Sequence, residues 1–362
     1  MSDPIQFTLN GQIVVAGPDD TIWEVAKREG TTIPHLCHSG EKGYQPDGNC
    51  RACMVEVDGE RTLVASCIRK PSEGMVVNSD SNRAQTARKM VIEMLVADQP
   101  KRDEAHDRSS HFWDMADLNG VVESRFPKLE SDRIPLLDDS HVAMSVNLDA
   151  CISCNLCVRA CRDVQVNDVI GMAGRGHDSK IVFDMNDPMG DSSCVACGEC
   201  VQACPTGALM PAKALNEFLV GDSKDYDAEV KSVCPFCGVG CQVSMKVKDG
   251  KVAWVDGIDG PANEGRLCVK GRFGFDYIHH DHRLTKPLIR RDDAPAKGLN
   301  VHPDNILEFF REASWEEAMT FAAAGLEKLR NNFGGKSVAG FGSAKCTNEE
   351  AYLFQKIIRQ GF

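Results

Sequence analysis

The chain has 362 residues, of which 42% are apolar and 26% are charged, and at about 150 residues per domain it should form two or three domains or several smaller ones. The net charge of −12 argues against a nucleic-acid-binding surface, and no run of residues is apolar enough to span a membrane. The N-terminus lacks the basic and apolar regions of a signal peptide. We therefore expect a soluble, cytoplasmic protein that binds neither nucleic acid nor membrane.

Residues 1–80 are predicted to form a small half-open sheet with one helix. Asparagine or aspartate followed by glycine between apolar runs is typical of a β-hairpin. This pattern occurs over residues 7–15, around Asn10-Gly11, and over Met54–Ala65, around Asp58-Gly59. Four cysteines follow or flank these elements, and we name them set one: Cys37, Cys50, Cys53 and Cys67.

Two helices are predicted in this first part of the chain. The first runs from Thr21 to Glu29, with Asp19 or Asp20 as its N-cap and Gly30 as its end. The second covers Asn82–Ala97, where apolar side chains recur at helical spacing. It opens a helical or irregular connector over residues 81–145, which is charged and weakly periodic beyond the helix and is expected to hold no cluster.

An internal repeat occupies residues 146–229. Two groups of four cysteines share the spacing C-x2-C-x2-C-x3-C and lie about 43 residues apart, which indicates a duplicated unit. Set two is Cys151, Cys154, Cys157 and Cys161, and set three is Cys194, Cys197, Cys200 and Cys204. The segment Glu217–Glu229 is predicted to be a linker.

Residues 230–286 hold set four, which is Cys234, Cys237, Cys241 and Cys268. A third hairpin is predicted there around Asp249-Gly250.

Residues 287–362 contain one isolated cysteine, Cys346, and are predicted to alternate helices with a strand. Ser314 and Glu317 form a capping box for a helix that runs to about Asn331. A buried strand over Ser337–Gly342 and a helix over Asn348–Arg359 should follow, which indicates the beginning of a large α/β domain.

Seventeen cysteines in a chain too long to need disulfide bonds indicate metal ligation. Thiolates are soft ligands, and four of them around one inorganic core form an iron–sulfur site. In the spacing of sets two and three, the fourth cysteine ligates the other cubane. The predicted [4Fe-4S] ligands are Cys151, Cys154, Cys157 and Cys204 for one cubane, and Cys194, Cys197, Cys200 and Cys161 for the other. A pair of zinc sites is the alternative.

Set one, on its hairpin and helix scaffold, predicts a [2Fe-2S] cluster, although its spacing is not the plant type and zinc or unrelated cysteines are alternatives. The scaffold resembles the β-grasp two-iron domain that opens the large electron-transfer subunit of respiratory complex I and several iron hydrogenases. Those families continue with H-x3-C-x2-C-x5-C. Counting from His106 gives Ser110, Trp113 and Asn119 instead, so we expect no cluster here and place His106 and His111 on the surface. Cys346 has no partners in sequence and is expected to be a small buried side chain.

Set four begins with CPFCGVGC and ends, after 26 intervening residues, in CVKGRFG. This motif resembles the N-terminal cubane domain of the molybdopterin oxidoreductases, and most closely their formate dehydrogenase branch. The resemblance implies a [4Fe-4S] cluster on Cys234, Cys237, Cys241 and Cys268, with zinc as the alternative. It also implies that Lys270 lies on the electron path between cubane and pterin, as a cofactor-binding and catalytic residue.

In this order the domains resemble the catalytic (alpha) subunit of the NAD-dependent, cytoplasmic molybdenum or tungsten formate dehydrogenases. The resemblance implies an α+β multidomain fold and reversible oxidation of formate to carbon dioxide at a metal held by two molybdopterin guanine dinucleotides. Electrons would pass through one [2Fe-2S] and three [4Fe-4S] clusters to FMN and NAD on a beta subunit, in a hetero-oligomer. In that family the cysteine or selenocysteine metal ligand lies beyond Phe362, so we expect a longer polypeptide. Another substrate such as nitrate, a complex I-like relay subunit and an iron hydrogenase remain alternatives.

Overall fold

The computed structural model describes residues 4–128, 137–218, 221–298, 301–343 and 345–362. Parts of the predicted connector and linker, residues 129–136 and 219–220, lie outside the described residues. The mixed α+β composition is confirmed. No helix in the described ranges is long and apolar enough to cross a membrane.

A five-stranded sheet with one helix forms the N-terminal unit. The sheet has the order β2-β1-β5-β3-β4, in which β1 and β5 are parallel and the other pairs are antiparallel. Its elements are β1 (Ile5–Leu9), β2 (Gln12–Ala16), α1 (Ile22–Arg28), β3 (Met54–Val57), β4 (Val64–Ala65) and β5 (Val76–Asn78). Both predicted hairpins are confirmed, whereas β5, which joins them into one sheet, was not predicted.

The predicted cap of α1 is wrong. Thr21 is the N-cap, in a capping box with Glu24. Asp20 instead accepts hydrogen bonds from the Gly17 amide and from the Arg28 side chain. The reciprocal pair of Thr21 and Glu24 satisfies two amides at the helix start, which neither aspartate does.

The predicted connector contains α2 (Asn82–Asp98) and α3 (His111–Leu118). The helix predicted over Asn82–Ala97 is therefore confirmed. Buried side chains of both helices pack with Leu36 and Ala52 of the N-terminal unit. The amide of Phe112, in the first turn of α3, donates to the carbonyl of Pro205, directly after set three. The connector thus joins the N-terminal unit to the cysteine repeat.

The cysteine repeat is built from two short antiparallel strand pairs and two short helices. Strand β6 (Met144–Val146) pairs with β9 (Leu209–Pro211), and β7 (Ile170–Ala173) pairs with β8 (Lys180–Phe183). The helices are α4 (Leu156–Arg159) and α5 (Glu199–Ala203), and each carries the third cysteine of its set. Because α4 and α5 occupy equivalent positions, the structure retains the duplication predicted from the spacing.

A three-stranded antiparallel sheet follows, made of β10 (Ala228–Val233), β11 (Gln242–Lys248) and β12 (Lys251–Gly257). The hairpin around Asp249-Gly250 is confirmed, and both residues have positive φ, as a tight turn requires. Helix α6 (Val269–Phe273) completes this unit. Since β10 begins at Ala228, the predicted linker is wrong at its C-terminal end.

The remaining elements are β13 (Leu288–Arg290), α7 (Ile306–Phe309), β14 (Phe310–Glu312), α8 (Trp315–Phe333) and α9 (Asn348–Lys356). Ser314 caps α8 as predicted, but Glu317 pairs with Arg311 instead of completing the capping box. The predicted buried strand Ser337–Gly342 is wrong. Its side chains are mostly exposed, and no strand of the described residues lies beside it to complete a ladder.

Candidate metal centres

Set one gathers around the end of β4 and the loop before β3. Cys37, Cys53 and Cys67 are buried and Cys50 is half-buried. Hydrogen bonds from Cys50 and Cys67 lower the pKa of the Cys37 thiol to about 2, and a hydrogen bond from Cys67 lowers that of Cys53 to about 7. The hydrogen bonds to neighbouring cysteines, followed by burial, raise the pKa of Cys50 and Cys67. Iron would displace protons from these thiols on binding, because it takes thiolates as ligands.

Backbone amides also converge on the sulfurs of set one. The Cys37 amide lies 3.4 Å from Cys50 Sγ, and the Ala52 amide lies 3.5 Å from the same sulfur. Arg51, between Cys50 and Ala52, has a φ of +60°, and the chain turns there toward the sulfur of Cys50. N–H donors of this kind stabilise a thiolate and tune the reduction potential of a bound cluster.

The two halves of the repeat use the same local geometry. Ser153 and Ala196, each directly before the second cysteine of its set, have φ values of +51° and +55°. The Ser153 amide lies 3.4 Å from Cys151 Sγ, and the Ala196 amide lies 3.3 Å from Cys194 Sγ. Each set therefore folds its first three thiols around a concave loop by the same turn.

The fourth cysteine of each half lies close to the first cysteines of the other half. The pKa of Cys151, in set two, is raised in part by the charge of Cys204, the fourth cysteine of set three. The charges that act on Cys194 and Cys197 include that of Cys161. Burial is the first cause that raises the pKa of these three thiols. Cys204 therefore lies near set two and Cys161 near set three, and the exchange of these two ligands stays a prediction.

Set four lies between β10, β11 and α6. The Cys234 amide donates to the Cys241 carbonyl at 2.8 Å, and Cys268 is the N-cap of α6. Burial raises the pKa of the Cys234 and Cys241 thiols, with the charge of Cys268 adding to it. Cys237, Cys268 and the nearby Lys270 are exposed, so this site opens at the surface of the described chain.

A buried polar network joins three of the units, and the sequence did not predict it. Glu199 and Arg272 are each 1% exposed, with 3.5 Å between Arg272 Nη2 and Glu199 Oε2. The Tyr44 hydroxyl donates to Glu199 Oε1 at 2.9 Å, and Arg272 Nε donates to the Cys197 carbonyl at 2.9 Å. Burial and the Glu199 carboxylate raise the pKa of Tyr44. The network fixes sets one, three and four relative to one another.

Two further expectations are wrong. His106 and His111 are half-buried rather than on the surface. His106 Nδ1 lies 2.7 Å from the Gly207 carbonyl, and His111 Nε2 lies 2.9 Å from the His35 carbonyl. Both rings therefore connect units of the fold. Cys346, expected to be buried, is exposed because the strand that would have covered it does not form.

Within the ranges that the structure describes, no three His, Cys, Asp or Glu side chains are grouped closely enough for one metal ion. The fit to iron–sulfur clusters rests instead on the donors themselves. Each set offers four thiols and, in sets one to three, amides aimed at sulfur. Cysteine tetrads of this kind are the donor chemistry of iron–sulfur clusters.

Comparison with known families assigns four segments of the chain. Residues 2–82 match the 2Fe-2S iron-sulfur cluster binding domain, and residues 150–208 match the 4Fe-4S dicluster domain. Residues 227–280 match the molybdopterin oxidoreductase Fe4S4 domain. Residues 283–362 match the molybdopterin oxidoreductase domain.

Similar proteins match this chain along almost its whole length. A protein of Staphylococcus haemolyticus (strain JCSC1435) named "Putative formate dehydrogenase" is 29% identical over the whole of this chain, which covers 38% of that protein. "Probable oxidoreductase YjgC" of Bacillus subtilis (strain 168) is 28% identical over 98% of this chain, and again 38% of that protein is covered. The chain thus spans little more than a third of these relatives.

A solved structure is also similar. A chain in the crystal structure of an NAD+-reducing [NiFe]-hydrogenase in the H2-reduced state is 30% identical, with a TM-score of 0.53. The match covers 60% of this chain and 92% of that one.

Proposed function

We propose that this chain, which belongs to the molybdopterin oxidoreductases, is the electron-relay part of a formate dehydrogenase. Its sixteen grouped cysteines would hold one [2Fe-2S] and three [4Fe-4S] clusters. Molybdenum or tungsten on two pterins would supply the two-electron oxidation of formate to carbon dioxide, which is reversible. The substrate is proposed from the relatives named for formate and from the CPFCGVGC motif.

The observation that carries the proposal is the continuity of the four cysteine sets. Arg159 bonds to the carbonyls of Cys37 and Cys154, in sets one and two. By the proposed ligation, sets two and three exchange their fourth cysteines. Gln202, within set three, exchanges two hydrogen bonds with Gly257 of the unit that holds set four. Electrons that enter at set four therefore have an unbroken protein path to set one.

Set one is the proposed exit. It lies in the N-terminal unit, whereas set four is exposed beside Lys270, and we propose that the set-one cluster is the last of the relay. We propose that a flavin- and NAD-binding partner accepts electrons there in a cytoplasmic hetero-oligomer. The similarity to a chain of an NAD+-reducing hydrogenase supports an NAD-linked relay. That similarity also favours the second candidate, a relay subunit without catalysis of its own.

Metal analysis of anaerobically purified protein tests the cluster content. We expect about 14 iron atoms per chain and negligible zinc. Cys53→Ser should lose the two-iron signal in electron paramagnetic resonance, whereas the matched variant Cys346→Ser should keep it. Stoichiometric zinc would contradict the proposal. About 18 iron atoms would require a further cubane near His106 and would contradict the proposed count.

Activity assays of the longer enzyme separate the two candidates. We expect formate, and not nitrate, to support turnover with an artificial dye. Deletion of residues 1–80 should spare dye reduction by formate and abolish NAD reduction. Undiminished NAD reduction would show that electrons leave elsewhere, and the absence of formate-dependent dye reduction would favour the non-catalytic relay.

A further inference from the structure

Arg159, the last residue of α4, is a buried cation between two cysteine sets. Its side chain is 3% exposed. Nη2 donates to the Cys37 carbonyl at 2.6 Å and to the Cys154 carbonyl at 3.2 Å. A single guanidinium nitrogen therefore bonds to the backbone of one ligand from set one and one from set two.

The rest of the guanidinium is held equally firmly. Nη1 donates to the Gln45 carbonyl, and Nε donates to the Asn155 carbonyl at 3.3 Å. These carbonyls belong to loops on both sides of the junction. The planar, forked donor geometry of arginine suits such multiple bonding, which the single ammonium of lysine does not reproduce.

The charge of Arg159 is only partly compensated. Its ion pair is with Asp47, whose Oδ2 lies 3.5 Å from Nε and whose side chain is 33% exposed. A buried charge is costly unless opposite charge faces it. The groups that would provide that charge are the thiolates of sets one and two, whose clusters become more negative with each electron that they accept.

We propose that Arg159 is the positioning residue for electron transfer between sets one and two. Its hydrogen bonds to the carbonyls of Cys37 and Cys154 would fix the distance between the two clusters. Its positive charge would stabilise the reduced form of each cluster. In each transfer the set-two cluster loses one electron and the set-one cluster gains it. This proposal rests on the cluster assignments of the proposed function.

Arg272 provides an internal comparison. It bonds to the Cys197 carbonyl of set three through its side chain and to the Cys268 carbonyl of set four through its amide. Its charge, however, is paired with the fully buried Glu199. Removal of the charge at Arg159 should therefore change cluster potentials more than removal at Arg272, because no buried carboxylate offsets Arg159.

Redox titration of the anaerobically purified full chain, followed by electron paramagnetic resonance, tests the charge. Arg159→Met should make reduction of the two-iron cluster about tenfold less favourable, which is about 59 mV for one electron. The matched control is Arg162→Met, three residues further on, where the side chain is 52% exposed and pairs with Asp163. That control should keep the wild-type potential.

Arg159→Lys tests the geometry, and it also serves if the methionine variant fails to fold. It keeps the charge, so the potential should stay close to that of the wild type. Freeze-quench kinetics should show electron transfer between the two clusters slowed about tenfold or more, because the two hydrogen bonds from Nη2 to the carbonyls of Cys37 and Cys154 are lost. A wild-type potential in Arg159→Met, or wild-type transfer in Arg159→Lys, with normal iron content, would overturn this proposal alone. Absence of a two-iron signal in the wild type would overturn the proposed function as well.

Discussion

Replacement of Arg272 by methionine should destabilise the protein strongly, because it leaves a carboxylate buried without its cation. Arg272 and Glu199 are each 1% exposed and their charged groups are 3.5 Å apart. At that separation and an effective dielectric constant of about 20, the attraction is about 5 kcal/mol. Desolvation offsets part of this attraction in the intact pair. Once the cation is removed, the carboxylate keeps its desolvation cost, so we expect a loss of about 3–5 kcal/mol.

A double-mutant cycle isolates the pair. Glu199→Gln combined with Arg272→Met removes both charges, and the double variant should be more stable than Arg272→Met alone, with a coupling of about 2 kcal/mol or more. Urea unfolding of iron-matched samples measures these differences, and Arg291→Met, at a residue that is 44% exposed, is the surface control. Strictly additive losses, or a single variant within about 0.5 kcal/mol of the wild type, would refute the reasoning.

Three further predictions concern other sites. Burial lowers the pKa of His106, so at low pH the unfolded chain binds a proton that the folded chain does not. The free energy of unfolding should therefore fall as the pH drops below about 6.5, by up to about 1.4 kcal/mol per pH unit. His106→Gln should weaken this slope in unfolding measured at a series of pH values, and an unchanged slope would contradict the prediction. Gly198→Ala places a methyl group 2.1 Å from Arg272 Cδ and should lower the free energy of unfolding by about 1–3 kcal/mol more than Gly250→Ala does. Gly250 has a similar φ but open space around it, so equal unfolding free energies of the two variants would contradict the close approach at Gly198. Lys270→Ala in an enzyme of the relatives' full length should keep iron and pterin yet lose most formate turnover with dyes, whereas Lys251→Ala should behave like the wild type. Retained activity would contradict the proposed role of Lys270 on the electron path.

The sequence predicted elements whose signal is local. Asn10-Gly11 and Asp249-Gly250 specify tight turns by their own backbone preferences, and both hairpins form where predicted. The cysteine spacing likewise predicted that Cys161 and Cys204 would each lie near the cysteines of the other half, as they do in the structure. These successes share a cause, since each depends on residues a few positions apart or on a repeated motif.

The features that the sequence did not predict depend mainly on distant contacts. Strand β5 is only three residues long and is defined by its neighbours β1 and β3. A single charged side chain in a four- or five-residue helix gives no periodicity, so nothing marked Arg159 as buried. Glu199 and Arg272 are 73 residues apart in sequence, and their pairing follows only from the packing of separate units. For such short helices the sequence contains no pattern that indicates which face packs against the rest of the protein.

The exchange of Cys161 and Cys204 also constrains how the protein matures. With the proposed ligation, neither half of the repeat can complete its own cubane, since each lacks its fourth thiolate until the other half has folded against it. Cluster insertion and folding of residues 146–210 should therefore be a single cooperative event. A cell that synthesises this chain under iron shortage would accumulate molecules with both cubanes or neither, and seldom with one.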